Sequence, residues 1–176
     1  SLASYVAGFT KDQIASGLKT FHASAEQTPG RLNIFDFPDF KVMVDFAHNP
    51  EGFSGIRDFL KTINSPYHIG IITGTGDRPD DSIIKLGYIS AEMFDHIIIH
   101  QAKFHRGRTP QAIVDLLIEG IKSYNPDCSF EYIPDEVEPL QYAMSKVKKD
   151  AFITALSDVL NNPIELIRSY QNDYKK

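Results

Sequence analysis

The stretch His68-Ile69-Gly70-Ile71-Ile72-Thr73-Gly74-Thr75-Gly76-Asp77-Arg78-Pro79-Asp80-Asp81 decides the fold. From His68 to Thr73 the side chains are mostly short, apolar and β-branched, the composition of a strand buried on both faces. Gly74 and Gly76 allow a tight turn. Pro79 and the two aspartates after it suit the first turn of a helix, by fixed φ and by negative charge near the helix N-terminus. A helical pattern then runs from about Asp81 to Phe94, and a second apolar strand follows at His96 to His100. Strand, turn, helix and strand in close succession is the unit of a parallel sheet.

The same alternation continues in both directions. Downstream lie a helix from Pro110 to Ser123, a strand at Ser129 to Ile133, a helix from Glu136 to Val147 and a strand at Ala151 to Leu156. Pro163 opens a last helix, with Ser157 and Asp158 in the loop before it. Upstream, a helix from about Pro50 to Ile63 puts Phe53, Ile56, Leu60 and Ile63 inward. Before it, Arg31 to Phe35 and Phe40 to Phe46 are close enough to pair as an antiparallel hairpin. The first segment has its own helix signature: Thr10 as N-cap with Gln13 completing a capping box, Phe9 and Ile14 as a staple, and Ile14, Leu18 and Phe21 on one face. Thr28-Pro29-Gly30 breaks that pattern. The expected fold is therefore a three-layer, Rossmann-like α/β domain. Its mostly parallel sheet has about six strands and an antiparallel hairpin at its N-terminal edge.

Composition narrows the function. The chain has 176 residues, enough for one domain with a short piece of a neighbour. Lys and Arg number 18 against 23 Asp and Glu, for a formal charge of -5, which argues against nucleic acid as a partner. No apolar run approaches the roughly 20 residues that cross a bilayer, and the N-terminus lacks the order of a signal peptide. The single cysteine, Cys128, offers neither an internal disulfide nor a zinc motif, and the expected setting is the cytoplasm. His96, His100 and His105 look like a metal set, but strand spacing holds the first two apart and no carboxylate is expected beside them, so no metal site is assigned.

Three polar clusters fall at strand ends, where ligands of open α/β sheets bind. The first is Asp45-Phe46-Ala47-His48-Asn49-Pro50. Asp45 interrupts an apolar run and needs hydrogen-bond partners: ribose hydroxyls, or the free backbone N–H groups of a helix start, which Asn49 could equally cap. His48 could stack on a base, bond a phosphate or be simply exposed. The second is Gly74 to Asp81, where Arg78 could reach an anion or stand in a plain turn. It is no dinucleotide fingerprint, because Pro79 holds the last glycine position of G-x-G-x-x-G, and no G-x-x-x-x-G-K-[ST] occurs. The third is His105-Arg106-Gly107-Arg108-Thr109-Pro110, whose arginines suit a carboxylate or phosphate, or a solvated loop.

Pro29-Gly30-Arg31, then D-x-A-H-N-P at Asp45 to Pro50, then Gly76-Asp77-Arg78, resembles the C-terminal domain of the Mur ligase superfamily. That superfamily includes muramyl peptide ligases, folylpolyglutamate synthases and cyanophycin synthetases. Gly76 to Asp81, Ile97-Ile98-Ile99 and Arg106-Gly107-Arg108 look most like the cyanophycin synthetase branch. The resemblance implies an ATP-dependent ligase in which residues 1–28 end a central ATPase domain and 29–176 form the domain that closes on it. It implies that the central domain of the same chain holds most of the ATP and Mg2+. Arg31 would contact phosphate or ribose, Asp45 the ribose and His48 the nucleotide side, with Asn49 beside them. Asp77 and Arg78, with Arg106 and Arg108, would line the side of the incoming substrate. The reaction implied is activation of a carboxylate as an acyl phosphate followed by attack of an amine, and in the cyanophycin branch arginine joins an aspartate side chain of an acidic polymer. Cyanophycin synthetases carry acidic residues before R-G-R, whereas this chain has Gln101-Ala102-Lys103-Phe104-His105. With no phosphate loop of its own, the chain alone is expected to be inactive. The alternatives are a folylpolyglutamate or muramyl peptide ligase domain, and a stand-alone nucleotide- or peptide-binding module. A homo-oligomer is left open.

Overall fold

The computed structural model describes residues 2–21, 24–101, 106–134, 138–156 and 161–174. Its elements in chain order are α1 (Leu2–Val6), α2 (Lys11–Lys19), β1 (Asn33–Asp36), β2 (Phe40–Asp45), α3 (Pro50–Leu60), β3 (His68–Ile72), α4 (Asp80–Met93), β4 (His96–His100), α5 (Pro110–Tyr124), β5 (Ser129–Ile133), α6 (Glu138–Lys146), β6 (Ala151–Leu156) and α7 (Asn161–Asp173). The strands form a six-stranded sheet in the order β1-β2-β6-β3-β4-β5. β1 pairs antiparallel with β2 at one edge, and every other pairing is parallel. The α/β class, the mostly parallel sheet and the edge hairpin are those expected from the sequence.

Period-two alternation divides the strands between two cores. Met43, Ile72, Ile97, Ile99, Phe152 and Leu156 pack with α3, α4 and α5 on one face. Val42, Val44, Ile69, Ile71, Ile98 and Ile153 pack with α6 and α7 on the other. The chain therefore reverses its course after β5, crosses by the opposite face and inserts β6 between β2 and β3. In a sheet of this kind the reversal opens a crevice beyond the carboxyl ends of the strands. On the α3–α5 face the helices α4 and α5 pack at close range through two glycines. A Cβ on Gly87 would lie 2.1 Å from the Leu117 carbonyl oxygen, and one on Gly120 would lie 1.9 Å from that of Ile84.

Several boundaries depart from expectation. α3 ends at Leu60 rather than Ile63, because the N–H groups of Thr62 and Ile63 turn to the carbonyls of Phe59 and Leu60, three residues back. α7 begins at Asn161, two residues before Pro163, which still sits in the first turn where a missing N–H costs little. The expected start of α6 at Glu136 lies outside the described residues, as do Ser157, Asp158 and His105. At the N-terminus Thr10 and Gln13 form the expected capping box, Gln13 N–H to Thr10 Oγ1 at 3.3 Å and Thr10 N–H to Gln13 Oε1 at 2.9 Å. Among the described residues the apolar face of α2 is largely uncovered, however: neither α1 nor α2 has a buried residue, Ile14 is only half-buried, and Leu18 is 59% exposed.

Candidate functional site

Because β2, β3 and β4 run parallel, the loops after them meet at one end of the sheet. The β2 end is organised by Asp45 and Asn33. Asp45 is 8% exposed, and both of its carboxylate oxygens accept backbone N–H groups: Oδ1 from Ala47 and Oδ2 from Leu32, each at 2.8 Å. Asn33, buried at the start of β1, accepts from Gly30 N–H at 2.6 Å and donates to the carbonyl of Thr28 at 3.0 Å. The carbonyl of Gly30 in turn accepts from Phe46 N–H at 3.0 Å. Gly30 and Leu32 both hold a positive φ, 68° and 49°, so the chain doubles back around Arg31 and is fastened to the end of β2. The Arg31 guanidinium then lies 5.5 Å from the centroid of the Phe46 ring, and the His48 ring meets Phe46 edge-on at 5.1 Å. His48 Nδ1 lies 3.0 Å from the Phe46 carbonyl oxygen, and Asn49 caps α3 through Gly52 N–H at 2.8 Å. These residues line an open depression of about 300 Å³ at the N-terminus of α3. A larger depression of about 350 Å³, around Phe37, Lys41, Ser65 and Asp150, lies at the opposite end of the sheet. Among the described residues, no loop that follows a parallel strand lines it, so the smaller one is the candidate site.

The β3 end carries the second cluster. Thr73, Gly74, Thr75 and Gly76 are buried, and a Cβ on Gly74 would lie 2.8 Å from Ile113 of α5. The loop after β4 clasps this turn. Arg106 pairs with Asp77 at 2.7 Å, and that hydrogen bond is the main reason the Asp77 carboxyl is held below the ordinary carboxylate range. Arg108 donates from Nε to the Gly76 carbonyl and from Nη2 to the Arg78 carbonyl, both at 3.0 Å, and pairs with Asp80 at 2.5 Å. Arg106 and Gly107 hold positive φ values of 45° and 92°, which turns both arginines back toward the β3 loop. Asp77, Arg78, Arg106 and Arg108 thus come together as one cluster, while β6 separates it from the Arg31, Asp45, His48 and Asn49 group. Two strand spacings, about 10 Å, lie between the parent strands.

Asn33 escaped sequence reading, although its place just after Pro29-Gly30-Arg31 is a signal, since asparagine commonly bonds nearby backbone in turns. The expectation that no carboxylate stands beside His96 is corrected. Ser129, its partner across the β4–β5 pair, has Oγ 2.8 Å from Nδ1, and Glu131, two residues further along β5, lies 2.8 Å from Nε2. Among the described residues no group of three His, Cys, Asp or Glu could hold a metal ion. Burial pushes the Cys128 thiol above its usual range, away from the reactive thiolate form. No helix is long and apolar enough to cross a membrane among the described residues.

Comparison with known proteins identifies the family of the chain and relates its fold to solved structures. Residues 30–158 match the family model described as Mur ligase, glutamate ligase domain. The chain is 38% identical to a cyanophycin synthetase of Geminocystis herdmanii over 97% of its own length and 19% of that protein, so it spans about a fifth of the relative. Among solved structures it resembles a UDP-N-acetylmuramoyl-L-alanyl-D-glutamate--2,6-diaminopimelate ligase, with a TM-score of 0.69 at 16% identity over 99% of this chain and 37% of the other. E. coli FolC in complex with DHPP and ADP is similar as well, with a TM-score of 0.67 at 16% identity over 99% of this chain and 38% of that one.

Proposed function

The chain belongs to the Mur ligase, glutamate ligase domain family, and from that membership we propose that it is the C-terminal domain of an ATP-dependent acid–amino acid ligase of the cyanophycin synthetase kind. The observation that carries the reading is the placement of two polar clusters at the same end of one sheet, on either side of β6. One suits a nucleotide and the other an incoming amino acid. In the first, the Arg31 guanidinium, the Phe46 and His48 rings and the N-terminus of α3 surround the depression, a donor set that fits a phosphate and a base edge. Asp45 is engaged by backbone on both oxygens, yet each oxygen keeps a second lone pair, which a ribose hydroxyl can use. In the second, Asp77 and Arg78, braced by Arg106 and Arg108, face the substrate. ATP, bound mainly with Mg2+ by a central domain of the same chain, would supply the phosphoryl group that activates a carboxylate. The domain described here orients the amine for attack and closes the site to water.

The largely uncovered apolar face of α1 and α2, with Leu18 and Phe21 exposed at 59% and 55%, supports residues 1–28 as the end of that central domain, which would cover them. Arginine is the acceptor proposed by similarity, with an aspartate side chain of an acidic polymer as its target.

The test is ADP release by the full-length protein with an acidic polymer and arginine, lysine, glutamate or diaminopimelate offered in turn. The expected outcome is amine-dependent turnover with arginine preferred, and none from the isolated chain. Preference for glutamate moves the assignment to the folylpolyglutamate branch, and preference for diaminopimelate moves it to the muramyl peptide ligases. Turnover by the isolated chain would overturn the domain reading.

A further inference from the structure

We propose that Arg108 is a positioning residue, which holds the backbone on both sides of Asp77 so that the guanidinium of Arg78 is presented to the carboxylate of the incoming amino acid. The inference rests on the ligase reading above and divides the work within the second cluster.

Arg108 is already committed inside the protein. Nε–H goes to the Gly76 carbonyl, and Nη2 serves both the Arg78 carbonyl and the Asp80 carboxylate. One rigid, planar fork therefore fixes the Gly76–Asp77 and Arg78–Pro79 peptide planes and ties them to the first turn of α4. From the other direction Arg78 N–H donates to the Thr75 carbonyl at 3.2 Å. Pro79 adds a third constraint, since the residue before a proline is confined to extended backbone. With its carbonyl, its N–H and its ψ all restricted, Arg78 has only its side chain left to move.

That side chain is the one with capacity to spare. Its Nε is buried and has no hydrogen-bond partner among the described residues. The hydroxyls of Thr73 and Thr75, on residues 5% and 2% exposed, are in the same condition on the same loop. A buried donor without a partner is costly, and a ligand that supplies an acceptor removes the cost. The neighbouring charges are not available for the role: Asp77 is bound to Arg106 and Asp80 to Arg108. A planar carboxylate matches the fork that Arg78 offers.

The experiment compares R78A, R108A, R108K and the double variant R78A/R108A in the full-length protein. Two measurements are made: steady-state constants for ATP and for arginine, and hydrogen exchange of the backbone amides from Gly76 to Ser82 without substrates. R108A should speed exchange in that loop and raise the KM for arginine by about tenfold or more, with the KM for ATP within about twofold. R108K should resemble R108A, because an ammonium can pair with Asp80 but cannot bridge two carbonyls as well. The double variant should match R78A within about twofold, since a residue that acts through another adds nothing once that other is gone. Losses that multiply in the double variant would overturn the proposal and give Arg108 its own contact with substrate, as would a KM effect with unchanged exchange. Exchange needs no turnover, so it separates the two failures. A wild-type protein without amine-dependent ADP release defeats the ligase reading, whereas unchanged exchange in R108A defeats the positioning role whatever the reaction is.

Discussion

Asp45 at the end of β2 accepts the backbone N–H of Leu32 at 2.8 Å, and Leu32 holds a left-handed φ of 49°. A leucine pays roughly 1 kcal/mol or more for that conformation, and the buried, charge-assisted bond offsets it. Asp45→Asn keeps the shape but leaves an amide –NH2 facing one of the two N–H groups now accepted. The variant should lose about 1.5–3 kcal/mol of stability, the range for a bond to a charged group. Urea unfolding measures this, and in the full-length protein the KM for ATP should rise with it. Unchanged stability and an unchanged KM would show that the clip between β1 and β2 does not matter.

Phe46 stands between Arg31 and His48, touching one by its face and the other edge-on. Phe46→Leu keeps apolar bulk and removes the π-face. The cation–π contact is worth about 0.5–1 kcal/mol at an exposed site, so a KM for ATP raised about two- to fivefold is expected, with the KM for arginine and the melting temperature little changed. An ATP constant that stays at the wild-type value would remove the ring from the nucleotide site.

Gly120 lets α5 lie against α4, and a Cβ there would sit 1.9 Å from the Ile84 carbonyl oxygen, a backbone atom that cannot swing aside. Alanine favours helix by about 1 kcal/mol over glycine, but the overlap forces the helices apart. Gly120→Ala should therefore destabilise by about 1–3 kcal/mol net, seen as a lower urea midpoint at constant slope. A stabilised variant would mean that the two helices separate freely.

His68 opens β3, and burial holds its ring below the ordinary histidine value, against a smaller opposite pull from Asp95. The folded ring then binds a proton less readily than the unfolded one. Stability is fully present above the unfolded value of about 6.5, falls as pH drops through it, and levels off once the folded ring also protonates. His68→Gln removes this contribution. The melting temperature should fall less in the variant than in the wild type between about pH 7.5 and 5.5. Parallel pH profiles would assign the acid sensitivity to other groups.

Much of the fold was legible from local pattern. β4, β5 and β6 begin and end at the residues that alternation and apolar runs indicate. Strands buried among helices leave an unbroken apolar signature. The Thr10–Gln13 box and the Asn49 cap were legible too, since both bonds span three residues. The ends of α3 and α7 were not, because a last turn can tighten or a first turn extend past a proline without changing the hydrophobic period.

By itself the sequence determined an alternating α/β chain, its edge hairpin, the family motifs and the end of the sheet at which their loops gather. These follow from side-chain period, backbone φ and chain direction, all of which are local. Only the tertiary structure decided that β6 enters between β2 and β3 and so parts the two polar clusters, because strand order depends on which faces the crossing helices bury. It also decided what each charge does. Asp45 meets an N–H 13 residues away, Glu131 meets His96 across 35, and Arg108 meets the Gly76 carbonyl across 32. A hydrogen bond reaches about 3 Å in space and takes no account of sequence separation. Whether an arginine is free for a substrate or spent on its neighbour is settled only once the sheet has brought its loops together.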